Sequence, residues 1–257
     1  MTILDEIATF AKQRVSFAQM TISAEDIKAR VLELPRGNFD FETALKSGDI
    51  AFICECKKAS PSKGLIASDF PYLQIAKEYE RAGANAISVL TEPKWFLGSD
   101  DYLAEAASAV SIPCLRKDFT VDDYMIYEAK LLGASAVLLI CSILNKQQIA
   151  DYIELSDELG MSALVEAHDD EEVRVALEAG ARIIGVNNRN LKDFTVDTEN
   201  SKCLRELVPT DVLFVAESGI KTAEDVAAMR NVGADAVLVG ETLMTAEDKA
   251  AKLLELR

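Results

Sequence analysis

The chain has 257 residues, 49% of them hydrophobic, which is ample for the core of one large α/β domain or two small ones. A formal charge of −16, from 27 basic against 43 acidic residues, repels nucleic acid and anionic membrane at long range, and no apolar run approaches the roughly 18 residues of a membrane span. Five cysteines, mostly set in apolar runs, suit reduced buried thiols rather than a disulfide framework, and with Asp5 and Glu6 where a leader would be basic, a cytoplasmic protein is expected.

In chain order, residues 1–47 come first and carry two helical patterns. Ile3, Leu4, Ile7, Phe10, Ala11 and Arg14 begin one amphipathic stripe, and Ser23 to Asp26 open a second that carries Ile27, Val31 and Leu32 until Pro35 stops it. A helical extension packed on the main domain is expected here. From residue 48 strand and helix signals alternate. Apolar, β-branched-rich runs fall at 50–56, 86–91, 112–116, 136–141, 162–166, 182–187, 212–216 and 236–240. Helical patterns lie between them, for instance at 72–82, 122–132, 146–159, 171–179 and 223–231. Strands alternating with helices in this number predict an α/β fold, a closed parallel (β/α)8 barrel. An internal repeat supports closure: Gly83, Gly133, Gly180 and Gly233, each with an alanine after it, precede every second strand, where a helix C-terminus favours a left-handed residue. An open doubly wound sheet would repeat similarly, but no glycine-rich dinucleotide fingerprint follows the first strand. No linker interrupts the pattern, so 1–257 is expected to be a single domain with 1–47 as its extension.

The catalytic face of such a barrel lies at the C-terminal strand ends, and polar residues collect there. Glu55 and Lys57 stand two apart on the first strand and so share a side. Strand two runs into Thr91-Glu92-Pro93-Lys94-Trp95-Phe96, and strand three ends at Arg116-Lys117-Asp118-Phe119. Glu166, then Asn187-Asn188-Arg189, Glu217-Ser218-Gly219 and Gly240-Glu241 close strands five to eight. A salt bridge capping a strand would explain any one of these, but not the whole ring. Opposed lysines and glutamates in a partly desolvated pocket shift one another's pKa values, as general acid/base chemistry near neutral pH requires. Gly219 and Gly240, after strands seven and eight, let backbone N–H groups approach a phosphate. Cys54 and Cys56 have a metal-like spacing, but a single histidine and no second close cysteine pair weigh against a metal site. His168 has no Ser, Cys or metal partner legible in the sequence, so a structural or helix-start role is the expectation. Trp95, beside Pro93 and Lys94, reads as an aromatic wall. Residue types alone also suit a Schiff-base aldolase or isomerase of phosphorylated sugars, or a non-catalytic barrel that binds such metabolites.

The motifs E-C-K-K-A-S-P-S-K-G (55–64), L-T-E-P-K-W-F-L-G-S (90–99), L-R-K-D-F (115–119), L-V-E-A-H-D (164–169), V-N-N-R-N-L (186–191), A-E-S-G-I (216–220) and L-V-G-E-T-L-M (238–244) together resemble indole-3-glycerol phosphate synthase, across the whole chain. The resemblance implies a (β/α)8 lyase of tryptophan biosynthesis. It would close the ring of 1-(2-carboxyphenylamino)-1-deoxyribulose 5-phosphate, an anionic sugar phosphate, with loss of carbon dioxide and water, and without cofactor or metal. It implies Lys117 as the acid that protonates the ribulosyl carbonyl. Lys57 would hold the anthranilate carboxylate and later help expel the hydroxyl. Glu166, Glu55, Asn187 and Glu217 would supply base and hydrogen-bonding positions, which of them being the base staying open. Arg189, Leu191 and Ser218 would assist binding, and Phe119 with Trp95 or Phe96 would wall the aromatic ring. Phosphate would rest on Ser60 and the amides near Gly219 and Gly240. One departure is Glu241, where serine is common in relatives; its carboxylate is expected to turn away from the phosphate. A monomer is expected, and the resemblance allows association with other enzymes of the pathway.

Overall fold

Eight of the apolar runs form parallel strands: β1 (Ala51–Cys56), β2 (Ala86–Leu90), β3 (Cys114–Lys117), β4 (Ala136–Ile140), β5 (Ser162–Ala167), β6 (Ile183–Asn187), β7 (Leu213–Glu217) and β8 (Ala236–Val239). In the computed structural model, which describes residues 2–46, 48–190 and 194–257, they pair in sequence order and close into a barrel. Closure runs through Ala51 opposite Ala236 and Cys54 opposite Val239. Both faces of each strand are covered, so the strands read as near-continuous apolar runs. The third strand starts at Cys114 rather than 112, because Pro113 has no N–H for the ladder, and it extends to take in Lys117.

Several of the connecting helices start on side-chain caps. Asp122 accepts from Tyr124 N–H, and Asn145 and Thr222 form capping boxes, each satisfying N–H groups that the first helical turn leaves free. The repeated glycines end the helices before β2, β4, β6 and β8 in the left-handed region, with φ of 90°, 83°, 89° and 82°, as their spacing suggests.

The extension holds three helices, α1 (Ile3–Thr21), α2 (Ala24–Leu32) and α3 (Asp40–Leu45), one more than the sequence pattern shows. The third is too short to display a period. It sits at the N-terminal strand ends, where Phe41 and Leu45 are fully buried and the Glu42 N–H meets Ser162 Oγ at 3.3 Å. α1 lies at the opposite end. Its Arg14 forms a two-pronged pair with Asp118, at 2.6 and 3.0 Å, and Asp118 also accepts from Thr91 Oγ at 2.6 Å. A buried carboxylate stripped of such a partner costs on the order of 3–5 kcal/mol, so this pair fixes α1 over the strand ends. Pleat alternation does the rest: Lys117 faces the barrel interior, whereas Arg116 faces the helices, bonding Asp100 at 2.8 Å and Glu128 at 2.6 Å. Among the described residues no helix is long and apolar enough to cross a membrane.

Candidate active site

A cavity of about 740 Å³ opens at the C-terminal strand ends. Its floor is the inward side of β3, β5, β6 and β7, and its roof includes Ile3, Leu4 and Ile7 of α1. Lys117 is central. Its Nζ lies 3.1 Å from Glu166 Oε2 and 3.5 Å from Glu217 Oε2, with both carboxylates almost wholly buried.

One ammonium facing two buried carboxylates forces them apart in pKa. Burial would raise Glu166, but Lys117 and then His168 outweigh it and bring it down to about 2. Burial raises Glu217 as well, Lys117 opposes this from farther away, and Glu166 and Glu55 add to it, leaving Glu217 up at about 8. Glu217 is therefore the protonated member near neutral pH. Its Oε1 has no hydrogen-bond partner among the described residues. Burial would lower Lys117, yet Glu166, Glu217 and Glu55 reverse it and hold the ammonium well above the usual lysine value. Charged lysine, anionic carboxylate and protonated carboxylic acid thus sit side by side, which is the equipment for moving protons.

The second charge pair is tighter. Lys57 Nζ lies 2.5 Å from Glu55 Oε1, and Ser88 Oγ donates to Glu55 Oε2 at 3.4 Å. The chain after β8 passes so close that a Cβ at position 240 would push on Glu55 and Lys57, so Gly240 leaves that pair its place. Gly185 has the same role on β6: a Cβ there would run into Glu217 Oε1. Asn187 adds to the lowering of Glu166 and accepts from the Arg189 N–H at 3.0 Å, turning the β6 end towards the cavity rim.

The rim is cationic with one anion in its midst. Lys63, Arg189 and Lys221 line it together with Ser60, Ser218, Gly219 and Glu241. Ser218 and Gly219 both take left-handed φ, 66° and 87°, which bends the chain sharply at the cavity edge. Ser60 belongs to a small hairpin, Ala59–Ser60 paired with Gly64–Leu65, that the sequence pattern does not signal because its strands are two residues long. Glu241 faces the cations of this rim. Its carboxylate reaches Lys63 at 3.0 Å and Arg189 at 3.7 Å, because those two cations attract the nearest anion.

Phe96 and Phe119 line the cavity with ring centroids 6.1 Å apart. Trp95 packs edge-on against Phe10 of α1 at 5.6 Å with Lys94 over its face and is absent from the cavity lining. The cause is Glu92, whose buried carboxylate accepts the N–H groups of Lys94, Trp95 and Phe96 and coils the loop so that alternate rings part. Leu191 lies outside the described residues. Sequence reasoning missed Lys63, the α1 roof and the part of His168, whose Nε2 lies 3.4 Å from Glu166 Oε1. The roof had a signal in the apolar start of the α1 stripe, Lys63 in the charged loop after the first strand, and His168 in its place two residues past Glu166.

A family model described as indole-3-glycerol phosphate synthase matches residues 4–256. The chain is 58% identical over 256 residues to the indole-3-glycerol phosphate synthase of Ruminiclostridium cellulolyticum, covering 99% of this chain and 98% of that one. It is 53% identical over 256 residues to the protein of the same name from Endomicrobium trichonymphae, covering 99% of each. Among solved structures, a thiamine phosphate pyrophosphorylase from Pyrococcus furiosus superposes with a TM-score of 0.62 at 19% identity, over 83% of this chain and 96% of that one, a likeness of fold alone.

Proposed function

The chain belongs to the indole-3-glycerol phosphate synthase family, and from that premise we propose how its strand-end lysines and glutamates divide the proton transfers of the reaction. The enzyme is a carboxy-lyase of tryptophan biosynthesis that converts 1-(2-carboxyphenylamino)-1-deoxyribulose 5-phosphate to indole-3-glycerol phosphate, carbon dioxide and water. The observation that carries the proposal is Lys117 Nζ held 3.1 Å from Glu166 and 3.5 Å from Glu217 in a buried cavity.

Lys117 donates its proton to the ribulosyl carbonyl oxygen as the ring carbon bearing the carboxylate attacks the carbonyl carbon. The Glu166 and Glu55 carboxylates hold that proton, so it leaves only for a stronger base, and the oxygen becomes one as the new bond forms. Carbon dioxide then departs from the ring carbon, and its electron pair restores aromaticity. Lys57, beside the substrate carboxylate, protonates the new hydroxyl so that it leaves as water. A proton lost from the adjacent methylene to a carboxylate completes the indole double bond. Glu166 is suited to take it, because once Lys117 is neutral the main influence depressing Glu166 is gone. Glu217, protonated near pH 7, returns a proton to Lys117. A Schiff-base role would need a neutral amine, which the surrounding carboxylates disfavour.

Phe96 and Phe119 wall the aromatic ring, with Leu90 and Leu138 also lining that side. Trp95 would act only indirectly, by seating α1. The phosphate binds at the rim among Ser60, Lys63, Arg189, Ser218, Gly219 and Gly240, where Glu241 now occupies the gap between two cations. An arriving phosphate has to displace that carboxylate. Glu241→Ser is therefore expected to lower KM by up to about fivefold, since an exposed pair is worth about 0.2–1 kcal/mol; a higher KM in steady-state assays would mean the phosphate lies elsewhere. Fluorescence of the indole product from the carboxyphenylamino sugar tests the reading: wild-type enzyme should form it, and absence of product would refute the assignment.

A further inference from the structure

His168 stands two residues past Glu166, with its side chain mostly buried beside the reaction cluster. Nδ1 lies 3.0 Å from Glu172 Oε2 and 3.4 Å from Ser142 Oγ. Nε2 faces Glu166 Oε1 at 3.4 Å and makes no hydrogen bond among the described residues. Glu172 is itself fixed, accepting the His168 backbone N–H at 2.8 Å and the Ser142 hydroxyl at 2.5 Å. The His168 carbonyl accepts from Asn200 Nδ2 at 3.0 Å. A line of contacts thus runs from Ser142 and Glu172 through the ring to Glu166 and Lys117.

Each ring nitrogen faces a carboxylate. A neutral imidazole carries one N–H, so either tautomer would aim a lone pair at one of them; only the imidazolium has a donor for both. We propose that His168 is a positioning residue that acts through Glu166: as an imidazolium it holds Glu166 Oε1, so that Oε2 stays on Lys117, while Glu172 and Ser142 hold the ring. The inference rests on Glu166 belonging to the catalytic set. The groups that face the ring come from four sides. They are Glu166 on β5, Glu172 and its helix cap Asp169, Ser142 with Cys141 after β4, and Glu217 on β7, with Lys117 beyond. Burial opposes the charge, but Glu172, Glu166 and Glu217 prevail and raise His168 above its ordinary value. The hold is therefore complete at low pH and is lost as pH rises through that elevated value.

The chain contains one histidine, so tag-free protein gives a single imidazole titration by NMR. Its midpoint is expected above 6.5, and to fall by at least about 0.5 pH unit in both Glu166→Gln and Glu172→Gln. Folded His168→Gln is expected to lose about tenfold in kcat with KM little changed, and the acid limb of its kcat profile should move to higher pH as Glu166 loses a cation. An imidazole midpoint that ignores Glu166→Gln overturns the proposal, as does a His168→Gln enzyme with the wild-type profile. If His168→Gln does not fold, the two titrations decide alone. Wild-type turnover in Glu166→Gln would instead refute the catalytic reading of Glu166, whatever the imidazole does.

Discussion

Lys117→Ala is expected to lower kcat by at least ~100-fold, the usual scale for a lost general acid, in a steady-state fluorescence assay. The substitution removes the cation that Glu166 and Glu217 face, so part of the loss could be electrostatic rather than protonic. Lys117→Arg separates the two: arginine restores the charge but does not release its proton in the working range. Loss in both variants assigns proton delivery to Lys117. A loss below about tenfold in Lys117→Ala would remove it from the centre of the reaction.

Gly185→Ala should produce the next largest effect, although residue 185 is a single hydrogen atom at the reaction cluster. Its methyl group would occupy the place of Glu217 Oε1 and press within 3.2 Å of Leu164 Cδ1. Leu164 is fully buried whereas Glu217 lines the cavity, so the Glu217 carboxyl is the group that yields and is pushed off its place beside Lys117. A displacement of this kind costs about 10–100-fold in kcat, and overpacking lowers stability by roughly 1–3 kcal/mol, readable in thermal unfolding. If Gly185 acts through Glu217, adding Gly185→Ala to Glu217→Gln should cost little further activity. Full turnover in the single variant would show that the Glu217 position is immaterial.

The barrel was legible because its strands are covered on both sides and its helices end on repeated glycines, two signals that survive without any long-range information. Glu55, Lys57, Lys117, Glu166 and Glu217 were legible because charges at the ends of apolar strands have few structural explanations when gathered on one rim. Their division of labour was not. Glu166 and Glu217 are the same residue type at equivalent strand ends, and it is their surroundings once buried, Lys117 and the imidazole beside Glu166 against the neighbouring Glu166 and Glu55 beside Glu217, that send one down to about 2 and the other up to about 8. Trp95 reads as a wall from its neighbours in sequence, but Glu92 coils the loop and turns it onto Phe10 instead. His168 illustrates the same limit. Its partners Ser142 and Glu172 are 26 and 4 residues away in the chain, and nothing in the sequence says that the β4 and β5 ends converge on one ring. Arg14 and Asp118, 104 residues apart, pair for a reason visible only once α1 is folded over the strand ends.

Glu55 and Lys57 stand closer together than any other pair in the cavity, yet the order of events gives Lys57 the later role. Ring closure has to precede loss of carbon dioxide, because only the bond to the ribulosyl carbon breaks aromaticity at the carboxylate-bearing position. Lys117 therefore acts first. The most direct test is single-turnover release of labelled carbon dioxide by Lys117→Ala in excess over substrate. Carbon dioxide and indole product are expected to slow together, by the same factor as kcat. Release of carbon dioxide at the wild-type rate while the indole fails to appear would contradict this, and would move Lys117 from ring closure to the loss of water.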